Sequence, residues 1–317
     1  MKLSILSLFA AFSTAAALID DFVPVEEAYE YMNMALLAYN STTDIESRGP
    51  QYTVHFNENL KRETNAFVIT NSDMGYIMAA LAGTDGINDW ISDAQINQTE
   101  FGPASDPINS DVGVHTGFNK VLWKGEKEIT GGYLYDRMNE KIKEQIDAHP
   151  DYKIVVTGHS MGSGCSDLMS VALALDWPRK TILNYSIAPA PTGDTAWMEW
   201  VNGFKNLAVW HHINLDDILP RMAEKGGKLG IDYQMVGHTI QYYPEGTKAY
   251  YWHNGYLRKG YGGVPKSWNL PPWSVEDHLS LGYTAMIDAM IEDPETYYVD
   301  SFETIVASKD NLEVPEL

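Results

Sequence analysis

The sequence has almost no cysteine, since Cys165 is the only one in 317 residues. An intramolecular disulfide is therefore excluded, and the core must hold the fold without a covalent cross-link. Because no neighbouring residue in the sequence would favour its thiolate form, we expect Cys165 to be packed as a small apolar side chain rather than to react.

Positive charge is also scarce, with 22 Lys and Arg against 43 Asp and Glu and a formal net charge of -21 at pH 7. An acidic surface of this kind repels nucleic acids and anionic membranes. We therefore expect no nucleic-acid partner, and neutral substrates are favoured over anionic ones.

Long apolar segments are missing beyond the amino terminus. Residues 1–17 have a basic start at Lys2, an apolar middle and a small-residue end, which is typical of a secretory signal peptide cleaved after Ala17. The apolar part is shorter than the roughly 20 residues that span a bilayer. We therefore expect a secreted, extracellular protein without stable membrane insertion.

Linkers and internal repeats are lacking as well, so residues 18–317 are predicted to form a single domain, which we expect to be a monomer. The sequons Asn40-Ser41-Thr42 and Asn97-Gln98-Thr99 predict N-glycosylation in a eukaryotic secretory route. A third match, Asn184-Tyr185-Ser186, falls in a predicted buried strand.

In the first half of the chain, hydrophobic spacing predicts a helix, a strand, a hairpin, a polar loop with two prolines, and a long helical region interrupted by glycines. In that order, these elements cover residues 25–39, 51–56, 66–82, 95–111 and 117–148.

In the second half, predicted strands alternate with helices, which favours an α/β fold with a mainly parallel central sheet and helices on both faces. An antiparallel hairpin and a last helix follow. The strands cover residues 152–157, 181–187 and 207–213, the helices cover 166–175 and begin near 195, and the hairpin and last helix cover 237–252 and 275–291.

The most informative motif is the tight turn Gly158-His159-Ser160-Met161-Gly162, which lies between a β-branched strand and an apolar helix. This is the context of a nucleophile elbow, in which the glycines allow a sharp turn that lifts the serine hydroxyl out of the sheet. The first helical amide, that of Met161, would point at an oxygen above Ser160. Met161 is therefore a predicted oxyanion donor.

A serine hydroxyl needs a base and an orienting carboxylate to act as a nucleophile. In hydrolases with such an elbow the chain order is serine, acid, histidine, which leaves His238, His253 and His278 as possible bases. His278 is preferred, because it lies where a loop meets the last helix, whereas the other two fall inside or at the end of a strand pattern.

The acid is expected just past the strand over 207–213, at the sheet edge where ligands bind. Asp216 and Asp217 both lie there, and spacing alone does not choose between them, while Asp194 is a weaker candidate. The pair His211-His212 followed by Asp216 could suggest a metal site. Metal binding is disfavoured, because neighbouring residues on a strand face opposite ways. No metal and no other cofactor is predicted.

A second oxyanion donor is expected after another strand, and Gly83-Thr84 is the best-placed segment. Shortly after it, Ile87, Trp90 and Ile91 recur at helical spacing. This spacing predicts a short helix with one strongly apolar face.

Six segments, in family order and covering most of the mature chain, resemble the filamentous-fungal triacylglycerol lipases, also called class 3 lipases. They are Leu81-Ala82-Gly83-Thr84 with Asn88-Asp89-Trp90-Ile91-Ser92-Asp93, Val114-His115-Thr116-Gly117-Phe118, Val156-Thr157-Gly158-His159-Ser160-Met161-Gly162, Pro191-Thr192-Gly193-Asp194, Asn214-Leu215-Asp216-Asp217-Ile218-Leu219-Pro220 and Asp277-His278-Leu279-Ser280.

The resemblance implies an α/β-hydrolase fold that acts on carboxylic esters of lipids. The family's catalytic aspartate precedes Ile/Val-x-Pro, which corresponds to Asp217 rather than Asp216. The family's oxyanion residue corresponds to Thr84, whose hydroxyl would be positioned by the carboxylate of Asp93. His159, beside the serine in the matched motif, is a further supporting residue.

The resemblance also implies a short lid helix over residues 85–92, with Trp90 at the lid tryptophan. The apolar stripe Ile87, Trp90 and Ile91 would cover the site in water and turn outward at an oil surface. The alternative is an ordinary helix packed on the core.

The predicted function is that of a triacylglycerol lipase, with Ser160 as nucleophile, His278 as base and Asp217 as orienter, acting on lipid esters at an oil-water interface. A feruloyl esterase or a phospholipase A1 of the same fold are alternatives, against which the apolar lid and the acidic surface argue. An alternative of another class is a catalytically silent lipid-binding or effector protein, which would need none of the three residues.

Overall fold

A computed structural model describes residues 23–59, 65–83, 97–123, 132–221, 232–243, 248–253 and 274–294. The predicted signal peptide, Thr84, Asp93 and the lid residues Ile87, Trp90 and Ile91 lie outside this description. Among the helices in these ranges, none is long and apolar enough to cross a bilayer.

The strands in these ranges are short, and from residue 153 to residue 214 they alternate with helices along the chain. They are β1 (Tyr52–Asn59), β2 (Asn65–Asn71), β3 (Tyr76–Leu81), β4 (Gln98–Phe101), β5 (Asn109–His115), β6 (Lys153–Gly158), β7 (Ile182–Ile187), β8 (Leu207–Asn214), β9 (His238–Tyr243) and β10 (Lys248–His253). The helices are α1 (Val25–Leu37), α2 (Thr42–Glu46), α3 (Thr116–Trp123), α4 (Leu134–Ala148), α5 (Met161–Asp176), α6 (Thr195–Val201) and α7 (Ser280–Glu292).

Eight of these strands form one sheet in the order β1-β2-β3-β6-β7-β8-β9-β10. The five strands from β3 to β9 in this order are parallel, and β1, β2 and β10 extend the edges antiparallel. The predicted mainly parallel sheet is confirmed, as are the hairpins β2–β3 and β9–β10. The carboxyl ends of β6, β7 and β8 therefore lie side by side.

Alternate residues of the inner strands face two separate cores. On β3, Ile77 and Leu81 pack with α3, α4, α5 and α6, while Met78 and Ala80 pack on the opposite face with α1 and α7. A strand that is apolar on both sides needs helices on both faces. This arrangement confirms the predicted layers.

The loop predicted over residues 95–111 is wrong, because β4 and the first three residues of β5 lie within it. These strands form a separate two-stranded antiparallel sheet. Only one side of this small sheet packs inward, through Phe101, Val112 and Val114. Because the outer side carries polar residues, the segment was interpreted as a loop. Pro103 and Pro107 fall between the strands.

Cys165 is fully buried on α5, and its sulfur lies 4.0 Å from the carbonyl oxygen of Phe118. Burial raises the pKa of this thiol, which keeps it protonated. The packed apolar role expected for Cys165 is the one that the structure shows.

Candidate active site

The turn after β6 has the strained backbone of a nucleophile elbow. Ser160 has φ 61° and ψ -128°, a conformation that costs energy for a residue with a side chain. A Cβ added at Gly158 would lie 2.3 Å from the oxygen of Gly162, and one added at Gly162 would lie 2.1 Å from the oxygen of Leu81. The strand and helix can approach this closely only because both positions are glycine.

Ser163 binds this turn to the loop after β7. Its hydroxyl donates to the carbonyl oxygen of Ser160 at 2.6 Å and accepts from the amide of Ala190 at 3.2 Å. The turn at Ser160 is therefore held by a side chain as well as by the two glycines.

Backbone strain recurs after the two neighbouring strands. Ala188, after β7, has φ 50°, and Leu215, after β8, has φ 44°. Strained conformations cluster at functional sites, and ligands of α/β sheets bind at the carboxyl ends of the strands. The carboxyl ends of β6, β7 and β8 are therefore the candidate location of a reaction centre.

At this edge the structure brings Ser160, Asp217 and His278 together. Nε2 of His278 lies 2.9 Å from Oγ of Ser160, and its Nδ1 lies 2.8 Å from Oδ1 of Asp217. Because an ionised carboxylate only accepts hydrogen bonds, the proton of a neutral imidazole sits on Nδ1, and Nε2 is free to accept from the serine hydroxyl. This geometry allows His278 to remove the proton of Ser160.

Asp217 is fully enclosed and receives two further hydrogen bonds. The amide of Leu219 donates to Oδ1 at 2.8 Å, and the hydroxyl of Tyr283 donates to Oδ2 at 2.7 Å. Burial alone would raise the pKa of Asp217, but His278 and these donors outweigh burial and hold the pKa below its ordinary value. Asp217 therefore stays ionised beside the imidazole.

Other acids and histidines considered from the sequence have different surroundings. Asp194 caps helix α6 and accepts from the amide of Gly113 at 2.8 Å. Asp216 is half-buried at the turn before Asp217. The ring of His238 stacks on Trp210, with 4.2 Å between centroids.

His211 and His212 face opposite sides of the sheet. His211 Nε2 lies 2.8 Å from Oδ1 of Asp167 on α5, whereas His212 Nδ1 lies 3.1 Å from the hydroxyl of Tyr242 on β9. Over the residues that the structure describes, no three His, Cys, Asp or Glu side chains are grouped so as to hold a metal ion.

The predicted oxyanion donors, Met161 and Thr84, are described in part. Met161 is the first residue of α5, so its amide has no acceptor within the helix. A Cβ added at Gly83 would lie 2.8 Å from Cβ of Ser160, which shows how closely the segment after β3 approaches the serine. Thr84 is the next residue, and it lies outside the described ranges.

His159 lies buried behind His278. Its Nε2 is 2.9 Å from the carbonyl oxygen of His278, and its Nδ1 is 2.7 Å from the hydroxyl of Tyr39. Burial lowers the pKa of His159 to about 3, so the ring is neutral. Tyr39 and Tyr283 were not predicted: Tyr283 lies only five residues beyond His278, but 120 residues separate Tyr39 from His159, and no pattern links them.

Comparison with known proteins agrees with this geometry. The model of the family described as Lipase (class 3) matches residues 78–226, a segment that contains the elbow and Asp217. A secreted alkaline triacylglycerol lipase of Penicillium cyclopium is 24% identical over 190 residues, which cover 60% of this chain and 61% of the relative. A lipase of Rhizopus niveus is 28% identical over 128 residues, which cover 40% of this chain and 29% of the relative. The chain thus matches less than two thirds of the length of each relative.

The fold is shared with solved lipases. A triacylglycerol lipase structure, described as having a serine protease triad at its catalytic centre, superposes with a TM-score of 0.61 at 20% identity. The superposition covers 81% of this chain and 93% of that one, and it confirms the α/β-hydrolase fold. The family model, the relatives and the fold agree with the motifs, and over residues 78–226 this chain is similar to the class 3 lipases.

Proposed function

We propose that this protein is a secreted serine hydrolase that cleaves carboxylic ester bonds of lipids, and specifically a triacylglycerol lipase. The observation that carries the proposal is the pair of hydrogen bonds, 2.9 Å and 2.8 Å long, that links Ser160, His278 and Asp217 at a strained elbow. The substrate class follows from the relatives that are named as lipases.

In the proposed reaction, Oγ of Ser160 attacks the ester carbonyl carbon while Nε2 of His278 takes its proton. His278 then donates that proton to the departing alcohol, which leaves an acyl group on Ser160. A water molecule, deprotonated by His278, then attacks the carbonyl carbon of the acyl-enzyme, and His278 returns that proton to Oγ of Ser160 as the carboxylic acid departs. Throughout the cycle, Asp217 accepts a hydrogen bond from the Nδ1–H of His278 and stabilises the imidazolium that forms.

The negative oxygen of the tetrahedral intermediate needs preorganised donors. We assign the amide of Met161 and the segment at Thr84 to this role, with Asp93 positioning the threonine hydroxyl. The close approach of Gly83 to Ser160 supports the assignment, because the described segment that ends at Gly83 lies beside the proposed nucleophile.

A neutral lipid at an oil-water interface fits the surface around His278. Leu279 and Leu281, which directly follow the base, are 43% and 82% exposed. Exposed leucines that directly follow the base in sequence favour apolar substrates, and the net charge of -21 disfavours anionic ones. The proposed lid residues Ile87, Trp90 and Ile91 would add to this apolar rim.

Secretion, a single domain over 18–317 and a monomeric state remain part of the proposal. Among the sequons, Asn40 and Asn97 are exposed, which suits glycosylation. Asn184 is fully buried and donates to Asp167 at 2.7 Å, so we expect it to stay unmodified.

A fluorophosphonate probe tests the chemistry. We expect it to label the wild type, and we expect Ser160→Ala to abolish labelling and to lower ester hydrolysis about 10⁴-fold or more. Ser170→Ala is the matched control, because Ser170 is a buried serine of α5 that donates to the carbonyl of Asp167 at 2.8 Å. Folded wild type that takes no label would favour the lipid-binding or effector alternative.

Rates on a triglyceride series above and below the solubility limit test the substrate class. A lipase with an apolar lid is expected to accelerate once an emulsion forms. A flat profile, with high rates on soluble esters, would instead indicate a soluble-ester hydrolase such as a feruloyl esterase.

A further inference from the structure

His159 connects the nucleophile to the base from behind the reaction centre. Its backbone directly precedes Ser160 in the elbow, and its side chain bonds the backbone carbonyl of His278 at 2.9 Å. The two imidazole rings lie 5.2 Å apart. A single residue therefore touches both the turn that carries the serine and the loop that carries its base.

The hydrogen-bond pattern around His159 fixes one tautomer. The carbonyl oxygen of His278 can only accept, so Nε2 of His159 must carry the proton. Nδ1 is then an acceptor, and the hydroxyl of Tyr39 must donate to it at 2.7 Å. Burial lowers the pKa of His159 to about 3, so this pattern persists across neutral and mildly acidic pH.

Tyr39 brings a third part of the site into the same contact. Its hydroxyl lies so close to Gly83 that a Cβ added there would be 2.4 Å away. Its backbone oxygen accepts from Nδ2 of Asn65 at 3.4 Å, and the carbonyl of Asn65 in turn accepts from the amide of Ala82 at 2.9 Å. Tyr39 is thus fixed against the segment that leads to the proposed oxyanion loop.

We propose that Tyr39 and His159 form a positioning pair that sets the distance between the His278 loop, the Ser160 turn and the Gly83 segment. The inference rests on the proposed hydrolase function, and it assigns neither residue a contact with substrate. The physical reason is that the catalytic rate falls steeply when the reacting groups shift by about 1 Å. The pair holds His278 Nε2 within hydrogen-bond distance of Ser160 Oγ.

Three substitutions of His159 separate this role from simple packing. The side-chain nitrogen of Gln reaches about as far as Nε2 of His, so His159→Gln keeps a donor for the His278 carbonyl. The nitrogen of Asn reaches only about as far as Nδ1, so His159→Asn cannot bond that carbonyl. His159→Leu removes both hydrogen bonds and keeps an apolar side chain.

With a soluble p-nitrophenyl ester, we expect His159→Gln to stay within about threefold of the wild-type kcat. We expect kcat to fall about tenfold to a hundredfold in His159→Asn and His159→Leu, with KM within about twofold. The rate of fluorophosphonate labelling should fall in proportion to kcat. Circular dichroism and thermal unfolding of each variant establish that the measured protein is folded.

Tyr39→Phe tests the other member of the pair. It leaves Nδ1 of His159 without its donor, and we expect a loss in kcat of about threefold to tenfold. Tyr31→Phe is the matched control, since Tyr31 lies on α1 and its hydroxyl donates to Glu27 at 2.8 Å rather than to His159. Its kcat should equal that of the wild type.

Wild-type kcat in folded His159→Asn and Tyr39→Phe would overturn the positioning pair. Equal losses in folded His159→Gln and His159→Leu would also overturn it, because ring packing rather than the bond to His278 would then be what matters. A wild type that neither hydrolyses esters nor takes the probe would count against the proposed function instead, so the two failures are distinct.

Discussion

At the scale of single residues, Tyr283 shows how the site depends on groups that no motif contains. Its hydroxyl accepts from the amide of Asn214 at 3.0 Å and donates to Asp217 at 2.7 Å. Burial raises the pKa of this phenol well above its ordinary value, and the Asp217 carboxylate raises it further, so Tyr283 is a permanent donor. In the proposed mechanism, Asp217 orients the base His278, and Tyr283 in turn orients Asp217.

Tyr283→Phe is therefore expected to affect both stability and activity. Removing the hydroxyl leaves the Asn214 amide and one Asp217 oxygen without a partner in a buried site, which costs about 1–3 kcal/mol. Urea unfolding should show this loss, and kcat should fall while KM changes little.

Tyr135→Phe provides the matched control, because Tyr135 donates to Asp176 at 2.7 Å between α4 and α5, away from the site. It should lose stability without losing kcat. Tyr283→Phe with wild-type kcat would contradict the orienting role of this hydroxyl.

At the scale of elements, a fully buried polar cluster joins α5 to β7 and β8. Oδ1 of Asp167 accepts from Asn184 at 2.7 Å and lies 2.8 Å from Nε2 of His211. Ser166 and Ser186 extend the cluster, with 2.7 Å between their hydroxyl oxygens. The helix that begins at the nucleophile is thus tied to the sheet by hydrogen bonds as well as by apolar packing.

Asp167→Ala should be strongly destabilising, because it leaves the side-chain donors of Asn184 and His211 buried without an acceptor at Asp167. We expect a loss of about 3–5 kcal/mol in the free energy of unfolding, the range typical of breaking a buried pair. Asp147→Ala is the comparison, since Asp147 is an exposed partner of Lys143 and should cost under about 0.5 kcal/mol. Equal urea midpoints for the two variants would show that the cluster contributes no net stability.

The elements also show where sequence reasoning succeeds. The strand, turn and helix around Ser160 could be predicted because a β-branched run, two glycines and an apolar helix each carry a local preference. β4 and β5 were missed because only one side of each strand is apolar. The choice between Asp216 and Asp217 had no local basis, since it depends on the direction the chain takes after the strained residue Leu215.

Contacts across the chain set a further limit on what could be predicted. His278 could be placed from chain order and a motif, but Tyr39 meets His159 over a separation of 120 residues. Such a contact depends on how α1 packs beside β6, a tertiary arrangement that periodicity does not encode. The proposed reactive groups could therefore be predicted from the sequence, whereas the groups that hold them in place could not.

At the scale of the whole molecule, three buried neutral histidines make stability dependent on pH. Burial lowers the pKa of His115 to about 4 and those of His159 and His212 to about 3. In the unfolded chain each titrates near its ordinary value of about 6.5. Between these values the unfolded state binds more protons than the folded state, so stability must fall as the pH falls.

Each of the three histidines is expected to cost about 2 kcal/mol between pH 7 and pH 5, which together is a large part of the stability of an ordinary domain. The lowered pKa of Asp217 acts only at more acidic pH, because that carboxylate stays ionised in both states near pH 5. Urea unfolding at pH 7, 6 and 5 should therefore show a steadily falling midpoint, although the pI of about 4.7 alone would suggest tolerance of acid. A midpoint that is constant over this range would mean that the buried histidines can accept protons without unfolding, and would contradict the neutral state inferred for His159.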